Sequence, residues 1–122
     1  MRALSKLIGP LAIVLLVLSG SPAKADNNYG ALAHNDKTGA FGWAVDRPSK
    51  NAASHVALHK CGHGCKVVTV FWNTCAAYAT GHHHAWGWSA GDSNDEAKRR
   101  AVSKCSDVGT GCRAKVWACA KN

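Results

Sequence analysis

Seven histidines in a chain of 122 residues are the first candidates for chemistry, because neutral imidazole binds zinc and copper. Five of them fall into two groups whose members stand close enough in the sequence to share an ion. One group is His55 and His59, and the other is His82, His83 and His84. His55 and His59 are i and i+4, which places both imidazoles on one face of a helix. We expect that face to be solvated and predict no cofactor. Zinc or copper binding by these histidines is the alternative.

Catalysis by histidine would take a ribonuclease-like form, in which two histidines and a lysine surround one phosphate. The chain supplies these residue types, but nothing in the sequence fixes their geometry. It contains no recognisable serine or cysteine nucleophile motif, phosphate-binding loop or carboxylate pair. We therefore predict no catalytic residues. A small basic secreted hydrolase acting on RNA is the alternative function.

The six cysteines are interpreted as three disulfides, because the chain carries an export signal and disulfides persist in oxidising compartments. Cys65 and Cys75 cannot pair, since they lie at the two ends of one predicted strand, roughly 30 Å apart. The internal symmetry described below favours one of the remaining arrangements. We expect the pairs Cys61 with Cys65, Cys105 with Cys112, and Cys75 with Cys119, the last joining the two halves of the chain.

A cluster of cations on the second predicted helix is the candidate anion site: Lys98, Arg99, Arg100 and Lys104. A solvated helix face is the favoured interpretation. The formal net charge of +8 falls to +5 when Arg2, Lys6 and Lys24 are removed with the export signal, and that charge suits an anionic partner, such as an acidic protein or an anionic envelope polymer. The five tryptophans are expected to pack mainly in the core. Trp72 and Trp86 are the two for which solvent exposure is considered.

Residues 1–25 are predicted to be a cleaved signal peptide. Arg2 and Lys6 precede the apolar run from 7 to 18, and the small residues before position 25 match a signal-peptidase site. The apolar run is shorter than the roughly 20 residues that a spanning helix needs, so no membrane insertion is expected after cleavage. Residues 26–122 are predicted to form a single periplasmic or secreted domain.

The elements that hold these residues come from one unit that occurs twice, at about 29–75 and 76–119. Phe41-Gly42-Trp43 in the first copy returns as Trp86-Gly87-Trp88 in the second, and each is followed by an alanine-bearing helix that ends in cysteine. Each copy reads strand, strand, helix, strand. The predicted fold class is α+β: a mostly antiparallel, disulfide-stapled sheet with two helices on one face and a pseudo-twofold axis.

Within each unit, serine caps predict the helix starts: Ser49 begins a helix to about Lys60, and Ser93 with Glu96 begins one to about Lys104. The small side chains of these helices allow close approach to the sheet, whose aromatic face supplies the volume. Residues 66–72 are apolar on both faces, so we expect a central strand there. A symmetric groove is expected on the axis, near Cys75 and Cys119.

The pattern resembles a known family. The residues that carry the resemblance are Tyr29-Gly30-Ala31, Gly42-Trp43, Cys65-Lys66-Val67-Val68, Gly87-Trp88, Cys112-Arg113 and Val116-Trp117-Ala118-Cys119. In these residues the chain resembles the secreted bacterial proteins catalogued as domain of unknown function 4189, and the resemblance covers residues 29–119, nearly the whole mature chain. The resemblance implies a bacterial, exported, disulfide-bonded domain. It brings no established activity and no catalytic residues.

The function predicted from these observations is that of an exported, non-enzymatic binding module of the bacterial envelope. Its partner would be an unknown envelope or secreted protein, or an anionic envelope polymer. Roles as an immunity protein, an inhibitor or an envelope-stress protein all fit a rigid, basic, disulfide-stapled domain, and the sequence does not rank them.

Overall fold

The computed structural model describes residues 28–121, so the predicted signal peptide lies outside the described residues. In chain order the elements are β1 (Tyr29–His34), β2 (Phe41–Arg47), α1 (Lys50–Cys61), β3 (Lys66–Trp72), β4 (Thr74–Thr80), a short 3₁₀ turn (His82–His84), β5 (Trp86–Gly91), α2 (Asn94–Ser106) and β6 (Arg113–Ala120). The order strand, strand, helix, strand therefore occurs twice. Between residues 28 and 121, no helix is long and apolar enough to cross a membrane.

The strands form two antiparallel sheets of three strands each, in the orders β2-β1-β3 and β5-β4-β6. The α+β class is confirmed, with two sheets in place of the one expected. The expectation that β3 is a central strand was wrong, because β1 is central and β3 lies at an edge. Both faces of β3 are nevertheless covered: Val70 packs beneath α1, and Phe71 packs in a cluster with Ala76 of the second sheet. That double coverage explains its apolar sequence.

Both helices begin where the sequence predicts. The hydroxyl of Ser49 accepts a hydrogen bond from the backbone N–H of Ala52 (3.0 Å), and Ser93 accepts one from the N–H of Glu96 (3.1 Å). The Glu96 carboxylate accepts from the N–H of Asp92 (2.7 Å), one residue before the Ser93 cap, whereas a regular capping box would use the N–H of Ser93 itself. This backbone hydrogen bond holds the pKa of Glu96 below its ordinary value.

Each helix packs on the glycine side of its hairpin and not on the aromatic side. The buried alanines of α1, Ala53 and Ala57, contact the face of β2 that carries Gly42 and Ala44. A Cβ atom at Gly42 would collide with the carbonyl oxygen of Ala57, and one at Gly87 would lie 2.5 Å from the backbone nitrogen of Cys105. The absence of a side chain is therefore what lets each helix approach its sheet.

The aromatic faces of the two sheets are turned toward each other. The ring centroids of Phe41 in β2 and Tyr78 in β4 are 4.7 Å apart. Phe71 of the first sheet packs with Ala76 and Ala120 of the second. Since α1 and α2 cover the opposite faces, the helices form the two outer layers and the sheets the two inner ones, which replaces the expected arrangement of both helices on one face.

The three disulfides are the three expected: Cys61–Cys65, Cys105–Cys112 and Cys75–Cys119. The role expected for the third was wrong. Cys75 lies on β4, where it pairs directly with Cys119 of β6, so this bond joins neighbouring strands of the second sheet and not the two repeats. The chain passes from one sheet to the other at Asn73, two residues earlier than the predicted boundary.

Candidate functional site

A cavity of about 200 Å³ lies between the loop ends of the two hairpins. Its walls include His34 and Phe41 of the first repeat and Thr80 and Trp86 of the second. His34 pairs with Phe41 across one hairpin as Thr80 pairs with Trp86 across the other, so these residues occupy equivalent positions in the two repeats. The cavity therefore lies between equivalent hairpin ends of the two repeats, at the opposite end of β4 from Cys75, where a groove was expected.

The cavity wall contains a buried polar network that sequence analysis did not predict. His34 is 4% exposed, and its Nδ1 lies 2.8 Å from the hydroxyl of the fully buried Tyr78. Its Nε2 lies 3.4 Å from a carboxylate oxygen of Asp36, without the alignment of a hydrogen bond. The indole of Trp86 stacks on the imidazole with 3.9 Å between centroids. His34 of one repeat is thus held between Tyr78 and Trp86 of the other.

The surroundings of His34 favour its neutral form. Burial lowers the pKa of His34 and the charge of His84 lowers it further, while the carboxylate of Asp36 acts in the opposite direction. Burial, with a smaller contribution from Asp36, raises the pKa of Tyr78 to about 12. With the proton on Nε2, which is the ring nitrogen nearer to the Asp36 carboxylate, Nδ1 of the neutral ring is left to accept from the Tyr78 hydroxyl.

This arrangement is suited to joining the repeats and poorly suited to acid–base catalysis. The Tyr78 hydroxyl and His34 Nδ1 are bound to each other, and neither residue is accessible to a large substrate. Of the cavity's titratable groups, the accessible ones are His84 and Lys115. Two histidines and a lysine thus line one cavity, but one of the histidines is already bound to Tyr78.

The histidines proposed as metal ligands lie apart. His55 and His59 are exposed on α1, as expected, whereas His82, His83 and His84 form an exposed 3₁₀ turn. His82 makes a 3.4 Å contact with the Thr110 hydroxyl, while the ring of His84 faces the cavity. Within residues 28–121, no three histidine, cysteine, aspartate or glutamate side chains are grouped to hold a metal ion. Zinc or copper binding stays the alternative to the prediction of no cofactor.

The basic cluster of α2 is divided between two flanks of the helix. Lys98 faces β6, where its Nζ lies 4.1 Å from the ring centroid of Trp117 and 3.8 Å from Asp95. Arg100 and Lys104 face β5 instead: Arg100 is 2.9 Å from Glu96, and Lys104 borders a shallow depression beside Trp86. Arg99 is exposed between these flanks. An anion would therefore meet two separate groups of cations rather than one patch.

One exposed aromatic surface was missed by the sequence analysis. Trp117 is 44% exposed although its strand motif predicted core packing, and Trp72 is 53% exposed, as its sequence position allowed. Trp117 lines a depression between β2 and β6. A second depression lies along α2 at Lys98, Arg99 and Val102, and Lys98 connects it to the indole. We call this surface the Trp117 face; its residues are Trp43, Lys98, Arg99, Val102, Lys115, Val116 and Trp117. An edge strand beside a charged helix is the signal that could have revealed it.

The fold and these surfaces define a class: a duplicated, disulfide-stapled α+β domain with a buried polar network between its repeats. The chain belongs to the family described as domain of unknown function (DUF4189), whose model matches residues 29–119. It is similar to Protein Rv1269c of Mycobacterium tuberculosis and Protein Mb1300c of Mycobacterium bovis, each 33% identical over 98 residues, which cover 80% of this chain and 73% of the relative. No solved structure gave a significant match.

Proposed function

We propose that the protein is an exported, non-enzymatic binding module of the bacterial envelope that contacts an acidic protein partner through the Trp117 face. The observation that carries the proposal is the exposed indole of Trp117, which lies beneath the ammonium of Lys98. Tryptophan is enriched among the residues that dominate binding energy at protein interfaces. Immunity, inhibitor and envelope-stress roles all remain compatible with this activity.

Export is supported by two independent features. The sequence of residues 1–25 has the pattern of a signal peptide, and all six cysteines form disulfides, which persist in oxidising compartments. Together they favour the periplasm or the extracellular medium as the place where a partner is met.

An acidic protein suits the Trp117 face better than a polymer of uniform charge. Lys98, Arg99 and Lys115 supply positive charge. Val116 supplies apolar surface in the depression that Trp117 lines, and Val102 supplies it in the depression along α2. Protein interfaces combine an apolar centre with a polar rim in this way. The sugars and phosphates of an anionic envelope polymer would use the charge and leave the apolar surface unoccupied.

The test is affinity capture from envelope and culture fractions of the native bacterium, with the oxidised domain of residues 26–122 as bait. Four baits are compared: the unmodified domain, Trp117→Ala, Lys98→Glu with Lys115→Glu, and Trp72→Ala as the matched control. We expect the unmodified domain and the Trp72→Ala bait to retain one acidic protein. The amount of that protein retained by the other two baits should be at least tenfold lower. Equal retention by all four baits, no retained protein, or retention of polymer alone would overturn the proposal.

A ribonuclease-like hydrolase is the second candidate, because His34, His84 and Lys115 line one cavity. The cavity favours a structural role, since His34 is bound to Tyr78 and its volume is small for a nucleotide chain. Incubation of the oxidised domain with single-stranded RNA tests this function. We expect no cleavage above that of a His84→Ala, Lys115→Ala variant; cleavage that this variant abolishes would establish the hydrolase instead.

A further inference from the structure

We propose that the acidic partner binds as an extended strand added to the free edge of β6, an inference that rests on the function proposed above. β6 is the last strand of the second sheet and pairs with β4 on one side. Within residues 28–121, no backbone hydrogen bond outside that ladder involves β6. Its outer N–H and C=O groups are therefore free to pair with another chain.

The disulfide identifies which backbone groups point outward. Cys75 and Cys119 are directly opposite, with Cα atoms 3.7 Å apart, which marks them as a closely spaced, non-hydrogen-bonded pair of the antiparallel ladder. The alternation of the ladder then makes Trp117 the next such residue. The N–H and C=O groups of Trp117 and Cys119 face the free edge, while those of Ala118 between them face β4.

The charge of this edge selects the chemistry of the added strand. β6 carries Arg113 and Lys115 and no acidic residue, and Lys98 lies over its exposed tryptophan. An incoming strand with alternate acidic residues would place its carboxylates on the face of Arg113 and Lys115, and its intervening residues on the other face, against the indole. A second copy of this chain is disfavoured, because pairing β6 with β6 would bring like charges together.

The equivalent edge of the first sheet provides an internal comparison. Ala31 pairs with Val70 in that sheet as Ala77 pairs with Trp117 in the second, so β3 occupies the place of β6. β3 carries Lys66 as its one charged residue. Its exposed Trp72 is stacked on Tyr29, with 6.3 Å between centroids, and no cation of the described residues lies above it. The observations therefore favour the edge of β6 over that of β3.

Lysine residues and β-bulges on an edge strand also protect a sheet against unwanted pairing. β6 carries Lys115 and has such a bulge, seen as a register shift between its contacts with Tyr78 and Ala79. The bulge falls before Val116, and the regular part from 116 to 120 contains both outward-facing residues. The exposed Trp117 favours pairing with an incoming strand, because it offers apolar surface to that strand.

The probe is a synthetic seven-residue peptide of alternating glutamate and valine, titrated into the oxidised, isotope-labelled domain of residues 26–122. Two control peptides carry the same side chains but are N-methylated at alternate residues, one on the odd set and one on the even set. Only one set can face β6, so we expect one methylated peptide to bind at least tenfold more weakly and the other to bind within about twofold of the parent. Trp117→Ala is expected to weaken the parent peptide as well.

Amide hydrogen exchange supplies the second measurement. Saturation with the parent peptide should slow exchange at Trp117 and Cys119 at least tenfold, while Ala118, already bonded to β4, and Val70 of β3 stay unchanged. No binding, equal binding of both methylated peptides, or unprotected amides would overturn strand addition. If Trp117→Ala still abolishes capture of the native partner in those cases, the proposed function stands and only the binding mode fails. Protection of the same amides without peptide, in a dimer seen by sedimentation, would also overturn it.

Discussion

At the scale of single residues, His34 shows how the two repeats are joined. Its imidazole belongs to β1, but its hydrogen-bond partner Tyr78 and its stacking partner Trp86 belong to the second repeat. A buried polar pair of this kind rewards one arrangement of the two sheets, because any other would leave the imidazole or the phenol without a partner. His34 is therefore a structural residue that holds the repeats in register.

The position of His34 predicts a pH-dependent stability. Because its pKa is lowered from 6.5 by burial, the folded protein holds this proton less tightly than the unfolded chain. The contribution of neutral His34 is complete above pH 6.5 and is lost as the pH falls from 6.5 through the lowered pKa. We expect the free energy of unfolding, measured with urea between pH 4.5 and 8, to decrease as the pH is lowered from 6.5 through the pKa of folded His34. The His34→Gln variant should lack this part of the decrease.

Asp36→Asn is the matched control for this prediction. The carboxylate of Asp36 raises the pKa of His34, so its removal should lower that pKa further and enlarge the loss of stability in acid. If unmodified protein and His34→Gln lose stability in parallel across the whole range, the assignment of the pH dependence to His34 is wrong.

At the scale of elements, the two sheets connect their central strand to the equivalent edge strand by different interactions. Cys75 and Cys119 form a disulfide across the second sheet, whereas the equivalent pair in the first sheet is Tyr29 and Trp72, whose rings stack. A cross-strand aromatic pair contributes up to about 1 kcal/mol. The disulfide, in contrast, restricts the unfolded chain, so the second sheet has the stronger connection between its strands.

The three disulfides are predicted to differ in their effect on stability. Chain entropy gives about 4 kcal/mol for the bond between residues 44 apart, and about 2 to 2.5 kcal/mol for those 4 and 7 apart. We expect the double variant Cys75→Ala, Cys119→Ala to lose the most free energy of unfolding in urea titrations. The corresponding double variants of the two short loops serve as controls. A greater loss in either of them would contradict the entropic ranking.

At the scale of the whole molecule, the inner faces of the sheets form a core shared by both repeats. Phe71 of β3 packs with Ala76 and Ala120 of the second sheet, and Phe41 contacts Tyr78. Each repeat is small, and its own helix covers only one face of its sheet. Neither is expected to fold without the other, since separation would expose the aromatic face of both.

This shared core predicts a single unfolding transition. Far-ultraviolet circular dichroism and tryptophan fluorescence should give coincident denaturation curves, and amides of β1 and β4 should exchange with the same opening free energy. Tyr78→Ala is expected to destabilise both sheets together by about 3 to 5 kcal/mol, because it removes a buried aromatic side chain.

The exposed Trp72→Ala variant is the control for the shared core and should lose no more than about 1 kcal/mol. Two separate transitions, or an effect of Tyr78→Ala limited to β4 and its neighbours, would show that the repeats are independent units.

Local patterns in the sequence determined the elements of this protein. Ser49 and Ser93 mark the helix starts because capping depends on a few neighbouring residues, and the spacing of the repeat identified the disulfide partners. The α+β class followed from the repeated order of strands and helices. These features need no knowledge of what lies on either side of a sheet.

Only the tertiary structure decided which face of each sheet meets which neighbour. Alternation along β2 separates Gly42 from Phe41 and Trp43, but it does not say whether a helix or a second sheet covers the larger side chains. That choice depends on packing between residues far apart in the chain, and it placed His34 beside Tyr78 and left Trp117 exposed. The candidate surfaces follow from these long-range contacts, and for that reason local sequence patterns could not locate them.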